Sequence, residues 1–307
     1  MTGLELSRLY YEQAGRDTFA QAFPSLFPRM AIGLAGEGSE CLGFDDSLSR
    51  DHDWGPGFCI WLREDDYQRF GQDVQALYNQ LPGAFAGFPR REDHPHSGKR
   101  VGCFSAPAWY RRYTGFPEGP QTLSQWRHIP EAFLATAVNG QVFQDPDGRF
   151  SAVRARLLEF YPEDLRIKKI ACRGAIMAQA GQYNYPRCAK RGDTVAAQLA
   201  LAEFTRSALF MVYLLNRRYA PFYKWMHRGI QELPKLRRVG VQLEALSQER
   251  DPLRATELIE GICLNTAAEW ARQGLSSLNS PFLLDHCEGM MALIRDPELR
   301  SAHIMEE

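Results

Sequence analysis

The sequence predicts an α+β chain: a small mixed-sheet head over residues 1–150, then a helical bundle over residues 151–307. Three observations carry that expectation. Short apolar runs bounded by Gly or Pro, at residues 30–35, 58–62, 101–104 and 140–143, have the length of strands and lie only in the first half. Segments of helical length follow one another beyond residue 150. Between the two, Asp145-Pro146-Asp147-Gly148 has strong turn chemistry.

Taken in order, residues 4–23 space Leu4, Leu6, Leu9, Tyr10, Phe19 and Phe23 at helical intervals, and Pro24 and Pro28 stop that helix. Residues 30–35 form the first core strand. A turn or short helix carries Ser39 to Leu48, and a second strand runs to Leu62, interrupted by Gly55-Pro56-Gly57. Residues 64–80 open with acids, as a helix N-terminus favours, and turn Phe70, Val74, Leu77 and Tyr78 inward. Residues 82–100 read as loop, 101–104 as strand, 121–135 as helix and 140–143 as strand. In the second half, helices are expected at 152–160, 163–180, 193–219, 253–272 and 281–294. The segment 193–219 has the strongest signal. Asp193-Thr194 caps it, Pro221 follows it, and its apolar surface wraps most of the way round, as a central helix requires.

Bulk properties narrow the function classes. Net charge is −1, with 45% hydrophobic and 24% charged residues, so the whole chain has no basic field. Seven scattered cysteines form no C-x-x-C pair, which favours reduced thiols and a cytoplasmic setting. The N-terminus lacks a signal-peptide core, and the longest apolar run, residues 208–215, is too short to span a bilayer.

The chemistry concentrates in residues 31–62. An apolar run ends in Gly36-Glu37-Gly38-Ser39, and Asp51-His52-Asp53 leads into a second apolar run. In extended backbone Asp51 and Asp53 share a face, roughly 7 Å apart at Cα, and can hold a hard cation by oxygen. The Gly turn lets backbone N–H groups approach phosphate. Together these residues read as a metal–triphosphate site. The competing account is a pair of solvated loops. His94-Pro95-His96 beside Asp93 is read as an exposed polar loop.

The spacing of Gly38-Ser39, Gly43, Asp51 and Asp53 resembles the signature of polymerase-β-type nucleotidyltransferases. The phrases GFDDSLSRDHDWGP, YNYPRCAKRGD and LNRRYAPFYKW resemble a bacterial group of that superfamily, the DUF4037-like proteins related to aminoglycoside nucleotidyltransferases. The resemblance implies a nucleotidyltransferase head. That head would transfer a nucleoside monophosphate from ATP or another NTP to a hydroxyl of a small molecule, releasing pyrophosphate. Asp51 and Asp53 would hold Mg²⁺ or Mn²⁺, with Gly38 and Ser39 at the phosphates. A tRNA end or a protein side chain stands as an alternative acceptor, and a non-catalytic nucleotide-binding protein as an alternative role. The superfamily carries a third carboxylate on a strand such as residues 101–104, which here has none. Asp145 is the candidate catalytic acid in its place, with Asp93, Glu131 and Asp147 as other stand-ins; Asp145 also fits a plain hairpin turn.

Three polar groups stand out in the helical half. Tyr183, Arg187 and Arg191 precede the central helix and could hold phosphate or stack on a base. Glu203 and Arg206, three residues apart on that helix, are expected to form an ion pair, with a general-base role for Glu203 as the alternative. Lys224 follows the helix end, where it either complements the dipole or, as the resemblance implies, reaches the triphosphate.

Overall fold

In the computed structural model the described residues are 1–50, 54–91 and 98–306. The chain divides into two compact units, Met1–Glu159 and Phe160–Glu307.

The first unit begins with α1 (Gly3–Tyr10) and α2 (Arg16–Ala22), joined by a π-helical turn at Tyr11–Gly15. Thr2 and Glu5 close a capping box at its start. There follow β1 (Ala31–Leu34), β2 (Cys59–Leu62), α3 (Glu64–Gln80), a hairpin of β3 (Ala84–Phe85) and β4 (Phe88–Pro89), β5 (Gly102–Ser105), α4 (Ala106–Thr114), α5 (Leu123–Arg127), α6 (Glu131–Val138), β6 (Gln141–Gln144) and α7 (Arg149–Leu158). The main sheet has the order β5-β2-β1-β6. β1 is antiparallel to both neighbours and β2 is parallel to β5, so the sheet is mixed.

Helices cover both faces of this sheet. Ile60 and Leu62 point into a core with Tyr10, Phe19, Phe58 and Tyr78. On the opposite face Trp61 stacks on Phe150 at 4.1 Å and meets Trp109 edge-on. Burial on both faces explains why β1 and β2 read as unbroken apolar runs rather than alternating ones. Gly33 sits where the β1–β6 register shifts, and a side chain there would run into the β6 backbone at Gln141 and Val142.

The structure departs from the sequence reading at several places in this unit, α4 among them, which has no counterpart there. Residues 54–58 form no strand; Gly55 has φ +145 and packs against the backbone of Pro89 and Arg91. The expected loop after α3 contains the β3–β4 hairpin. The expected helix 121–135 is two, because Pro130 ends one and opens the next. Finally, the compact unit extends past residue 150 to include α7, since Phe150 is part of its aromatic core.

The second unit is helical among its described residues. It comprises α8 (Glu163–Met177), a π-helical stretch at Ala178–Asn184, α9 (Tyr185–Lys190), α10 (Thr194–Leu215), α11 (Tyr223–Ile230), α12 (Arg237–Gln248), α13 (Pro252–Arg272), α14 (Leu283–Leu293) and α15 (Pro297–Ser301). α9, α11, α12 and α15 have no counterpart in the sequence reading; three of them are eight residues or shorter, too short for a clear helical period. α10 packs along α8 and the π-helical stretch, and Asp193 caps it through the Ala196 N–H. Its 22 residues have a mean hydropathy of 1.3 over the best window, so by length and composition alone it could cross a membrane. Glu203 and Arg206 do not pair: both side chains are exposed, and the Arg206 guanidinium lies 5.9 Å from the Phe210 ring. Solvation removes the need for an ion pair. The fully buried Lys168 donates to the Ala302 and His303 carbonyls and so ties the C-terminal segment to α8.

Candidate functional site

The Gly36–Ser39 turn leaves the end of β1 and enters a 3₁₀ turn at Ser39–Leu42. Its conformation is held from several sides. Asn139 clamps the Gly36 peptide, accepting from its N–H at 3.0 Å and donating to its carbonyl at 2.6 Å. Gly140 donates to the Cys41 carbonyl, and Arg154 of α7 holds the carbonyls of Asn139 and Gly140. Gly43 takes φ +73 and closes the 3₁₀ turn, a conformation that glycine adopts without a Cβ penalty.

Beneath the turn lies a buried ion pair. Glu40 and Arg91 meet at 2.6 Å with side chains only 3% and 2% exposed. The Glu40 carboxylate folds under Gly38, where any Cβ would collide with it. Burial opposes charge on Arg91, but the adjoining Glu40 carboxylate outweighs it and holds the guanidinium firmly protonated. Among the described residues Arg91 Nε has no hydrogen-bond partner.

Arg91 also lines a recess in the first unit. The Leu34–Gly38 backbone forms one wall. Arg91, Lys99, Arg100 and Arg112 supply four cations, and Trp109, Tyr113 and Phe104 supply aromatic surface. Among the described lining residues Glu37 is the one acid, and it pairs with Arg112 at 2.9 Å; the buried Glu40 is bound to Arg91. Burial pushes the Tyr113 hydroxyl upward, so it stays a neutral donor. A glycine turn, a positive lining and aromatic walls can hold an anion joined to a flat ring.

The positions singled out from sequence fare differently. Gly38 and Ser39 lie at this turn, Gly38 in its lining. Asp51 and Asp53, like Asp93 and the His94-Pro95-His96 segment, fall outside the described residues. Their flanks are well placed: Asp45 accepts from the Trp54 indole at 3.1 Å and from the Gly3 N–H at 2.7 Å, and Arg50 lies over the Trp54 ring. β5 carries no carboxylate. Asp145 accepts from the Gly148 and Ser151 N–H groups, at 3.1 and 2.7 Å, and so caps α7 rather than turning a hairpin. Asp147 is bound by Arg63 and Arg149. Among the described residues no group of three or more His, Cys, Asp or Glu is gathered to hold a metal.

In the second unit Arg187 lies 4.6 Å from the Tyr183 ring, Arg191 is exposed just before α10, and Lys224 is exposed beyond its far end, 5.2 Å from the Trp225 ring. Tyr213, near the C-terminus of α10, holds the Met226 carbonyl, so Lys224 stays at that end. A 22-residue helix spans about 33 Å, so these three cations do not form one cluster.

The sequence reading missed Arg91, Lys99, Arg100, Arg112, Trp109 and Tyr113. Their one visible signal is the basic excess of residues 90–112, five arginines and one lysine against Glu92 and Asp93.

Residues 126–226 match a family model described as a domain of unknown function (DUF4037). The match takes in the YNYPRCAKRGD and LNRRYAPFYKW phrases but neither the Gly-Ser turn nor the Asp-x-Asp. No curated protein and no solved structure matches the chain.

Proposed function

We propose that the recess at the Gly36–Ser39 turn binds the phosphates of a nucleoside triphosphate, and that the chain transfers the nucleoside monophosphate to an acceptor hydroxyl. One observation carries the reading: a buried arginine whose Nε has no partner among the described residues helps line a recess of four cations directly beside a glycine turn. A buried cation donor without a partner is costly unless a ligand anion completes it. The aromatic walls supply surface for a base.

Asp51 and Asp53 would hold Mg²⁺, which would supply positive charge to offset that of the phosphates. Within the chain, the work of the turn is to present backbone N–H groups, and that of Arg91, Lys99 and Arg112 is to balance the negative charge. Two main-chain N–H groups hold the Asp145 carboxylate, favouring its charged form and so weakening it as a base. The reading places the protein in the cytoplasm, where ATP and Mg²⁺ are supplied.

The test is calorimetric titration of ATP with and without Mg²⁺ against wild type, Asp53→Ala and Arg112→Glu, together with pyrophosphate release. Binding that needs Mg²⁺ and falls at least tenfold in both variants supports the reading. If wild type binds no NTP, the reading is overturned. A second reading, NTP binding without transfer, is favoured by the absence of a carboxylate on β5 and by the engaged state of Asp145 and Asp147. Tight binding without pyrophosphate release across hydroxyl acceptors, including a small sugar alcohol, a tRNA and a seryl peptide, would select it.

A further inference from the structure

The near-zero net charge hides a strong asymmetry. Residues 166–238 contain fifteen Lys/Arg against three Asp/Glu, a net +12, whereas residues 239–307 contain five against twelve, a net −7. Seven of the fifteen cations fall in residues 217–238, where Glu232 is the sole acid.

The second unit gathers that segment at the C-terminal end of α10. The Asn216 side chain bonds both backbone groups of Lys235, at 3.0 and 3.1 Å. Tyr213 fixes α11 through the Met226 carbonyl, and His227 meets the Gly240 carbonyl of α12 at 3.1 Å. Two of the cations have structural work: Arg217 pairs with Glu163, and Lys235 Nζ donates to the Leu215 carbonyl at the helix end. Arg218, Lys224 and Arg238 are exposed and have no acidic partner among the described residues.

Beside them stand large exposed aromatics. Phe222 is 55% and Tyr223 74% exposed, with ring centroids 4.5 Å apart. The half-buried Trp225 has Lys224 5.2 Å and Arg228 5.9 Å from its ring. Beyond their contact with each other these two rings leave most of their surface in water, and cations interleaved with π-faces fit a chain of alternating phosphates and flat bases. An acidic protein would satisfy the charge but not the rings, and a duplex keeps its base faces stacked away from them.

We propose that the surface formed by residues 217–238 binds single-stranded nucleic acid, with Phe222 and Tyr223 stacking on unpaired bases and Arg218, Lys224 and Arg238 on phosphates. This inference concerns the second unit and does not rest on the nucleotide reading of the recess; its test contains neither ATP nor Mg²⁺.

The experiment is fluorescence anisotropy of labelled single-stranded RNA and DNA oligomers, each of about twelve nucleotides, titrated with the full chain from about 50 to 300 mM KCl. Variants are Phe222→Ala/Tyr223→Ala, Lys224→Glu/Arg238→Glu and, as a control on the acidic side, Arg254→Glu. All change exposed side chains, and thermal melts check that each remains folded. The expected result is salt-dependent binding of one or both oligomers, weakened at least about fivefold by each double variant and unchanged in the control. Comparing RNA with DNA then separates the two sources. The proposal is overturned if neither oligomer binds at about 50 mM salt, or if the aromatic variant binds like wild type. Competition by polyglutamate as effective as that by unlabelled oligomer overturns it as well, since the surface would then be a generic anion sink.

Discussion

At the residue scale, the Glu40–Arg91 pair carries the most consequence. Two charges taken out of water repay their desolvation only through each other, so deleting one leaves the other buried and uncompensated. Arg91→Met is therefore expected to lower unfolding stability by about 3–5 kcal/mol, and Arg91→Met/Glu40→Leu to recover much of that loss. Urea melts of the two proteins measure this; a single-variant loss below about 1 kcal/mol would mean that the turn is held by Asn139 and Arg154 instead. The pair was not legible in the sequence. Fifty-one positions separate its members, and nothing in either local segment distinguishes these residues from the solvated Arg and Glu that most such residues are. The reverse error occurred at Glu203 and Arg206. Their spacing invited a pairing, but a helix face can present such residues to water, where an ion pair contributes little.

At the scale of elements, the sequence was most informative where the signal is local. β1, α3, α10 and α13 lie within a few residues of where periodicity, caps and flanking Gly or Pro put them. Short elements were missed because three to eight residues hold too little periodicity to stand out. Close approach between elements was equally invisible. Gly181, in the π-helical stretch, lies so near α10 that an added Cβ would sit within the Phe204 ring. Gly181→Ala is expected to destabilise the protein by about 1–3 kcal/mol, despite alanine's better helix propensity. Gly289→Ala, where nothing lies within 4 Å, is expected to be neutral or stabilising. Circular-dichroism melts of the two variants would settle it, and equal midpoints would refute the packing argument.

At the scale of the whole molecule, both units rely on arginine–carboxylate bonds that lower the acid's pKa. Asp66 is held down first by its hydrogen bonds from Arg29, and Glu163 by those from Arg166. A carboxylate whose folded pKa lies below its unfolded one contributes stability above the unfolded value of about 4. That contribution disappears as pH falls through the folded value. Arg29→Met and Arg166→Met should thus be less stable than wild type at pH 7, with the deficit shrinking as pH falls below about 4. Urea midpoints at neutral and acid pH test this; a deficit that persists unchanged into acid would assign the loss to packing of the arginine stems. Charge was also legible at this scale in a way that a single net value concealed. The net −1 hides a basic stretch of +12 between two acidic ones, −6 over residues 1–165 and −7 over residues 239–307, so a count taken over segments says more about surfaces than a count over the chain.

The order of residues alone was enough to separate a strand-bearing first half from a helical second half, and to mark the Gly-Ser turn. These are short-range matters: apolar period, turn chemistry and capping act within a few residues of one another. What surrounds that turn needed the folded chain. Lys99 and Arg100 reach the turn because β5 pairs with β2 in parallel and β2 with β1 antiparallel, which puts the start of β5 level with the end of β1; Arg112 comes to it from α4, and Arg91 through its pair with Glu40. Which distant strands pair is set by burial on both sheet faces and by backbone hydrogen bonds, and no local stretch encodes it.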